Sequence, residues 1–159
     1  MKTIDQLIKN ISYITAFALF LLTMLIAYDA LMRYFFSTGS IALQELEWHL
    51  FDMLILLSIA YTFKMKEHVK IDIFYENFSQ KWQERIDLLS IIFLILPFSF
   101  VIIYFGYDFV MLSFTQNEAS SDPGGLSYRF IVKSLMILGF VLVILQNIVD
   151  LAELIKEKK

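Results

Sequence analysis

The run LLSIIFLILPFSFVIIYFGY, Leu88–Tyr107, contains no charged side chain over twenty residues. A helix needs roughly 20 apolar residues to cross the about 30 Å of hydrocarbon in a bilayer. A backbone in lipid must also satisfy its own hydrogen bonds, which leaves helix or closed barrel as the only spanning forms. Two further runs meet the helical requirement: Ile11–Tyr28, continuing towards Phe36, and Ser134–Val149, extended backwards by Phe130, Ile131 and Val132. A fourth, Gln44–Phe63, is apolar only from Met53 onward and has to include the residues around Asp52 to span. Composition agrees. The chain is 58% hydrophobic and 18% charged, against about 45–50% and about 25% in soluble domains. The expected fold is all-α, a four-helix membrane bundle forming one domain over 1–159, with spans near 11–35, 46–65, 87–110 and 130–151.

Charge sets the expected topology. With four spans both termini share a side. Lys2, Lys9, Lys64, Lys66, Lys70, Lys81, Arg85, Lys156, Lys158 and Lys159 then lie with them, and only Arg33, Arg129 and Lys133 lie opposite. Basic residues concentrate on the cytoplasmic side, so both termini are expected there. Lys2 and Lys9 ahead of an apolar run also have the layout of a signal peptide. The run is longer than a usual signal core and AYDA, Ala27–Ala30, is a poor cleavage site, so the first span is expected to stay. Between spans two and three, Ile71, Phe74, Phe78, Trp82 and Ile86 recur every three or four residues. That spacing predicts an amphipathic helix over about 68–86, either lying along the inner interface or packed on the bundle as a connector. Between spans three and four, Asp122-Pro123-Gly124-Gly125 is a strong turn signal.

The remaining charges gather at the outer rim. Asp29 ends span one, Glu45, Glu47 and Asp52 open span two, and Asp108 closes span three, level with Arg33, Arg129 and Lys133. Asp29 and Arg33 are four apart and share a helix face. Glu45, His49 and Asp52 share another, with Glu47 pointing elsewhere. One reading is an ion or substrate path. The other is that these acids complement helix N-termini and pair across the bundle. A path usually needs an ionisable or broken-helix site near the midplane, and the spans offer none beyond Pro97. The structural reading is therefore preferred.

No catalytic or cofactor chemistry is expected. There is no cysteine. His49 and His68 are nineteen residues apart, about 28 Å along a helix, too far to clamp one haem. Metal-ligand spacing and phosphate loops are absent from the sequence, and no basic tract points to nucleic acid.

Three stretches carry a family resemblance: QELEWHLF at Gln44–Phe51, HVKIDIFY at His68–Tyr75 and SSDPGGLSYRFIVK at Ser120–Lys133. In order and spacing they resemble the small membrane subunit of tripartite ATP-independent periplasmic (TRAP) transporters. The resemblance implies a non-enzymatic accessory subunit in the bacterial or archaeal inner membrane. Its partners would be a large sodium-coupled elevator subunit, a periplasmic binding protein delivering a small organic acid, and the lipid bilayer. Arg33, Glu45, Glu47, Trp48, Asp52 and Trp82 are then expected to make structural or inter-subunit contacts. Asn117, Glu118, Asp122 and Tyr128 are candidates for meeting the binding protein. Competing readings are a membrane anchor for a redox complex and a self-sufficient small oligomeric transporter.

Overall fold

A computed structural model describes residues 2–65, 75 and 77–157. These form five α-helices: α1 Lys2–Phe36, α2 Ile41–Lys64, α3 Gln80–Ser90, α4 Leu96–Thr115 and α5 Phe130–Glu157. A π-helical turn, Ile91–Ile95, joins α3 to α4 without a break, so Gln80–Thr115 acts as one long helix. Four helices are thus long and apolar enough to cross a membrane. The described residues contain no strand. Of the expected amphipathic segment, Gln80 onward is helical, whereas His68, Ile71, Asp72, Phe74 and Glu76 lie outside the described residues.

Local chemistry sets the helix ends. Ser40 caps α2, its Oγ accepting from Leu43 N at 3.4 Å. The cap starts α2 five residues earlier than the apolar pattern predicts. Ser37 ends α1 in the left-handed region at φ 52°, and Thr38 N bonds back to Met32 O at 3.3 Å, a C-terminal cap six residues wide. Within α4, Pro97 has no N–H to donate. The π-turn just before it absorbs the lost bond, with Leu96 N reaching five residues back to Ile91 O. Ser99 Oγ adds a bond to Ile95 O at 2.7 Å.

The spans form two antiparallel hairpins, α1–α2 and α4–α5, joined chiefly along a seam between α2 and α5, with α1 touching α5 near the N-terminal end. In space the order is α1, α2, α5, α4. Among the described residues no packed interface joins α4 to α1 or to α2, so the four-helix bundle is an open row. Along the seam Glu45 meets Leu126 and Leu56 meets Gly139. The contacts advance together along both segments, so α2 and α5 run in the same direction. Ile8, Leu57, Ala60, Leu142 and Val143 form the buried core towards the end that carries the N-terminus. There Lys64 Nζ donates to Asp5 O at 2.5 Å and pairs with Asp5 Oδ1 at 3.4 Å. Elsewhere the row shows large apolar side chains outward, among them Phe17 and Phe20 on α1 and Phe98, Phe100 and Phe105 on α4. These are surfaces suited to lipid or to another membrane helix.

The seam has no room at Gly139. A Cβ there would lie 2.5 Å from Leu56 O, a backbone atom that cannot move aside. At Gly106 the corresponding clash, 2.8 Å, is with the flexible tip of Met136. Gly139→Ala should therefore destabilise the chain by about 1–3 kcal/mol, and Gly106→Ala by clearly less. Melting temperatures of the two variants in detergent would check that order.

Candidate functional site

The charged rim at the end opposite the termini separates into clusters on different helices. On α1, Arg33 Nε lies 2.9 Å from Asp29 Oδ2, and Asp29 is 1% exposed. Glu47, on the side of α2 that faces α1, is within electrostatic reach of both. The stem of Arg33 packs on Gly39, whose Cβ position is 3.6 Å from Arg33 Cγ. Arg33 thus sets a positive charge between Asp29 on α1 and Glu47 on α2, while Glu47 Oε1 is buried with no hydrogen-bond partner among the described residues.

Glu45 faces the other way and holds the loop between α4 and α5. Its Oε2 accepts from Leu126 N at 2.5 Å, and its Oε1 accepts from Ser120 Oγ. The loop is folded for this contact. Ser120 N donates to Leu126 O at 2.9 Å, Arg129 N to Glu118 O at 3.0 Å, and Asp122 N to Ser120 Oγ at 3.1 Å. Gly125 N closes the Asp122-Pro123-Gly124-Gly125 turn on Asp122 O at 3.0 Å, with Gly124 at φ +85°. Proline then glycine at the two central positions, the glycine with positive φ, is the pattern of a type II turn. A Cβ at Gly125 would stand 2.8 Å from Glu45 Oε2, so glycine lets the carboxylate approach the backbone. Arg129 Cζ sits 5.3 Å from the centre of the Trp48 ring, a second link between α2 and α5.

A third cluster closes the α4–α5 hairpin. Lys133 Nζ pairs with Glu118 and lies 4.0 Å from the Phe109 ring centre. The hydrogen bond from Lys133 holds the Glu118 carboxyl below the usual carboxylate range.

Of the residues expected to meet a soluble partner, Asp122 and Tyr128 are exposed at the loop surface. Asn117 is exposed too, but its φ of 48° shows a local duty. It ends α4 in the left-handed region that asparagine tolerates, and Glu118 N returns to Ser113 O at 3.0 Å. Tyr128 also has positive φ, 63°, a costly conformation for an aromatic residue. Its carbonyl receives Ile131 N at 3.0 Å, which starts α5. Trp82, on α3, is exposed and stacks under Arg85 at 5.2 Å.

Asp52 does not belong to the rim. The early start of α2 puts it eleven residues after Ile41 and twelve before Lys64. That is about 16 Å and about 18 Å from the two ends, midway along the helix. It is half-buried, and among the described residues it has no hydrogen bond or ion pair. His49, one turn nearer the loop, packs edge-on to Trp48 at 4.7 Å, and its buried Nε2 has no partner among the described residues. Sequence reasoning missed Ser120 as a partner of Glu45, and the buried amides Gln146 and Asn147 on α5. Gln146 donates to Asp150 Oδ1 at 2.8 Å and Asn147 to Val143 O at 2.9 Å, both within their own helix.

Four helices long and apolar enough to span, with a loop pinned across one end of the row, make this a multi-pass membrane protein. Residues 22–157 match the family described as tripartite ATP-independent periplasmic transporters, DctQ component. The chain belongs to this family, and so is a small subunit of a TRAP transporter rather than an enzyme. It is also similar to a Haemophilus influenzae protein described as a TRAP transporter small permease protein. The two are 24% identical over 131 residues, 82% of this chain and 77% of that one.

Two outcomes follow from this geometry. Glu45→Gln should leave the helices intact but speed hydrogen exchange at Leu126 and its loop neighbours, while Asp108→Asn, on an exposed site of α4, should not. Glu118 has a lowered folded pKa, so its contact stabilises the fold above the unfolded carboxylate value and is lost as pH falls through the folded value. The melting temperature attributable to Glu118 should hold down to about pH 5 and fall below about pH 4. Glu118→Gln should reduce that acid sensitivity.

Proposed function

We propose that this chain braces the large membrane subunit of a TRAP transporter while that subunit imports a small organic acid. A periplasmic binding protein would deliver the acid, and a sodium gradient would drive its entry by an elevator motion. Both termini would be cytoplasmic, in the inner membrane of a bacterium or archaeon. The observation that carries the bracing role is the use made of the rim charges. Arg33, paired with Asp29 on α1, attracts Glu47 on α2, Glu45 links α2 to the loop, and Glu118 and Lys133 link that loop to α5. Charges spent on holding helices together suit a static body. The ten-to-three excess of basic residues on the side of the termini supports the orientation. Substrate class and ion coupling are carried over from the family resemblance. On this reading Asp122 and Tyr128, exposed on a loop that Glu45 holds in shape, are the residues best placed to meet the binding protein.

Deleting the chain should reduce sodium-driven uptake to background while the binding protein keeps its affinity for ligand. Uptake by cells that retain only the large subunit and the binding protein checks this. Undiminished uptake would contradict a required brace.

A further inference from the structure

Because α2 and α4 do not pack on each other, a groove runs between them with α5 as its floor. Its apolar part measures about 670 Å³. Ile59 and Phe63 form one wall, Phe93 and Phe98 the other, and Phe140 and Val143 the floor. The α2 wall continues towards the loop at alternating steps of four and three: Phe63, Ile59, Leu56, Asp52, His49, Glu45. Residues at these spacings lie on one helix face. Both ends of this line are fixed by contacts, Phe63 and Ile59 in the groove and Glu45 on the loop. Asp52 and His49 therefore stand on the same wall, between the apolar cavity and the loop.

We infer that this groove seats a transmembrane helix of the large subunit, and that the helix carries an arginine or lysine level with Asp52. The inference rests on the TRAP subunit reading above and adds the docking face and its chemistry. Charge decides between a helix and the lipid chain that is the other natural filler. A lipid chain would match Ile59, Phe63, Phe98 and Phe140 but would leave the Asp52 carboxylate facing hydrocarbon midway along α2. Ionisable groups at such depth face protein or water and take partners. The rim acids Asp29, Glu45 and Glu118 already have theirs in this chain. Asp52, half-buried, has none among the described residues. A cationic side chain on an incoming helix supplies what it lacks. The apolar cavity below receives the rest of that helix, and the π-turn ahead of Pro97 shapes the wall it packs against.

The chain has no cysteine, so a single introduced one is a unique handle. In the intact transporter, Ile59→Cys labelled with benzophenone maleimide should cross-link to the large subunit on illumination. Asp52→Asn should lower recovery of the large subunit several-fold in pull-downs, and Asp52→Glu should restore most of it. Lipid adducts alone at Ile59, with both membrane subunits still co-purifying, would overturn the inference and leave the functional reading standing. Wild-type recovery with Asp52→Asn would do the same. Failure of the unmodified chain to co-purify with any large membrane subunit would instead remove the functional reading.

Discussion

The seam between α2 and α5 is the one extended joint between the two hairpins, and everything else hangs on it. Three kinds of contact hold it. At the loop end Glu45 accepts from Leu126 N and Ser120 Oγ. At the middle Gly139 allows α5 against the backbone of Leu56. Towards the N-terminal end Leu57 and Ala60 pack on Leu142 and Val143. Lipid offers helices little hydrophobic reason to associate, so small residues and polar contacts have to supply it. The seam uses both. Its polar contact lies at the loop end and its apolar contacts lie further along the helices, where a hydrogen bond would find fewer competing partners but a charge would be expensive.

An open row has consequences that a closed bundle would not. Both end helices, α1 and α4, keep apolar faces turned outward, and the groove between α2 and α4 stays accessible. A subunit that works by contact with a larger one gains surface from this arrangement. It also explains the economy of internal burial: few side chains are fully enclosed, and they cluster where α1, α2 and α5 meet.

Much of this was legible in the sequence. The four spans follow from apolar length, the Asp29–Arg33 pair from a spacing of four, and the loop turn from Asp-Pro-Gly-Gly. What escaped is long-range or depends on a helix end. Glu45 and Ser120 are 75 positions apart, and no local pattern links them. The open row is a matter of which helices touch, which periodicity does not encode. Read as part of the charged opening of span two with Glu45 and Glu47, Asp52 is expected at the rim. The Ser40 cap carries α2 five residues further out, through Gln44 and Glu45, and so moves Asp52 to mid-helix. The charged start of α2 is thus two sites in one helix: a clasp at Glu45 and, three turns in, a carboxylate with no partner among the described residues.

That the two hairpins behave as one static body is the central claim. Spin labels on Phe20→Cys in α1 and Phe100→Cys in α4, both exposed positions, would report the distance between hairpins in the assembled transporter. The account predicts one distance distribution, unchanged by sodium, substrate or loaded binding protein. A shift of several ångströms, or a second population on adding sodium and substrate, would contradict it.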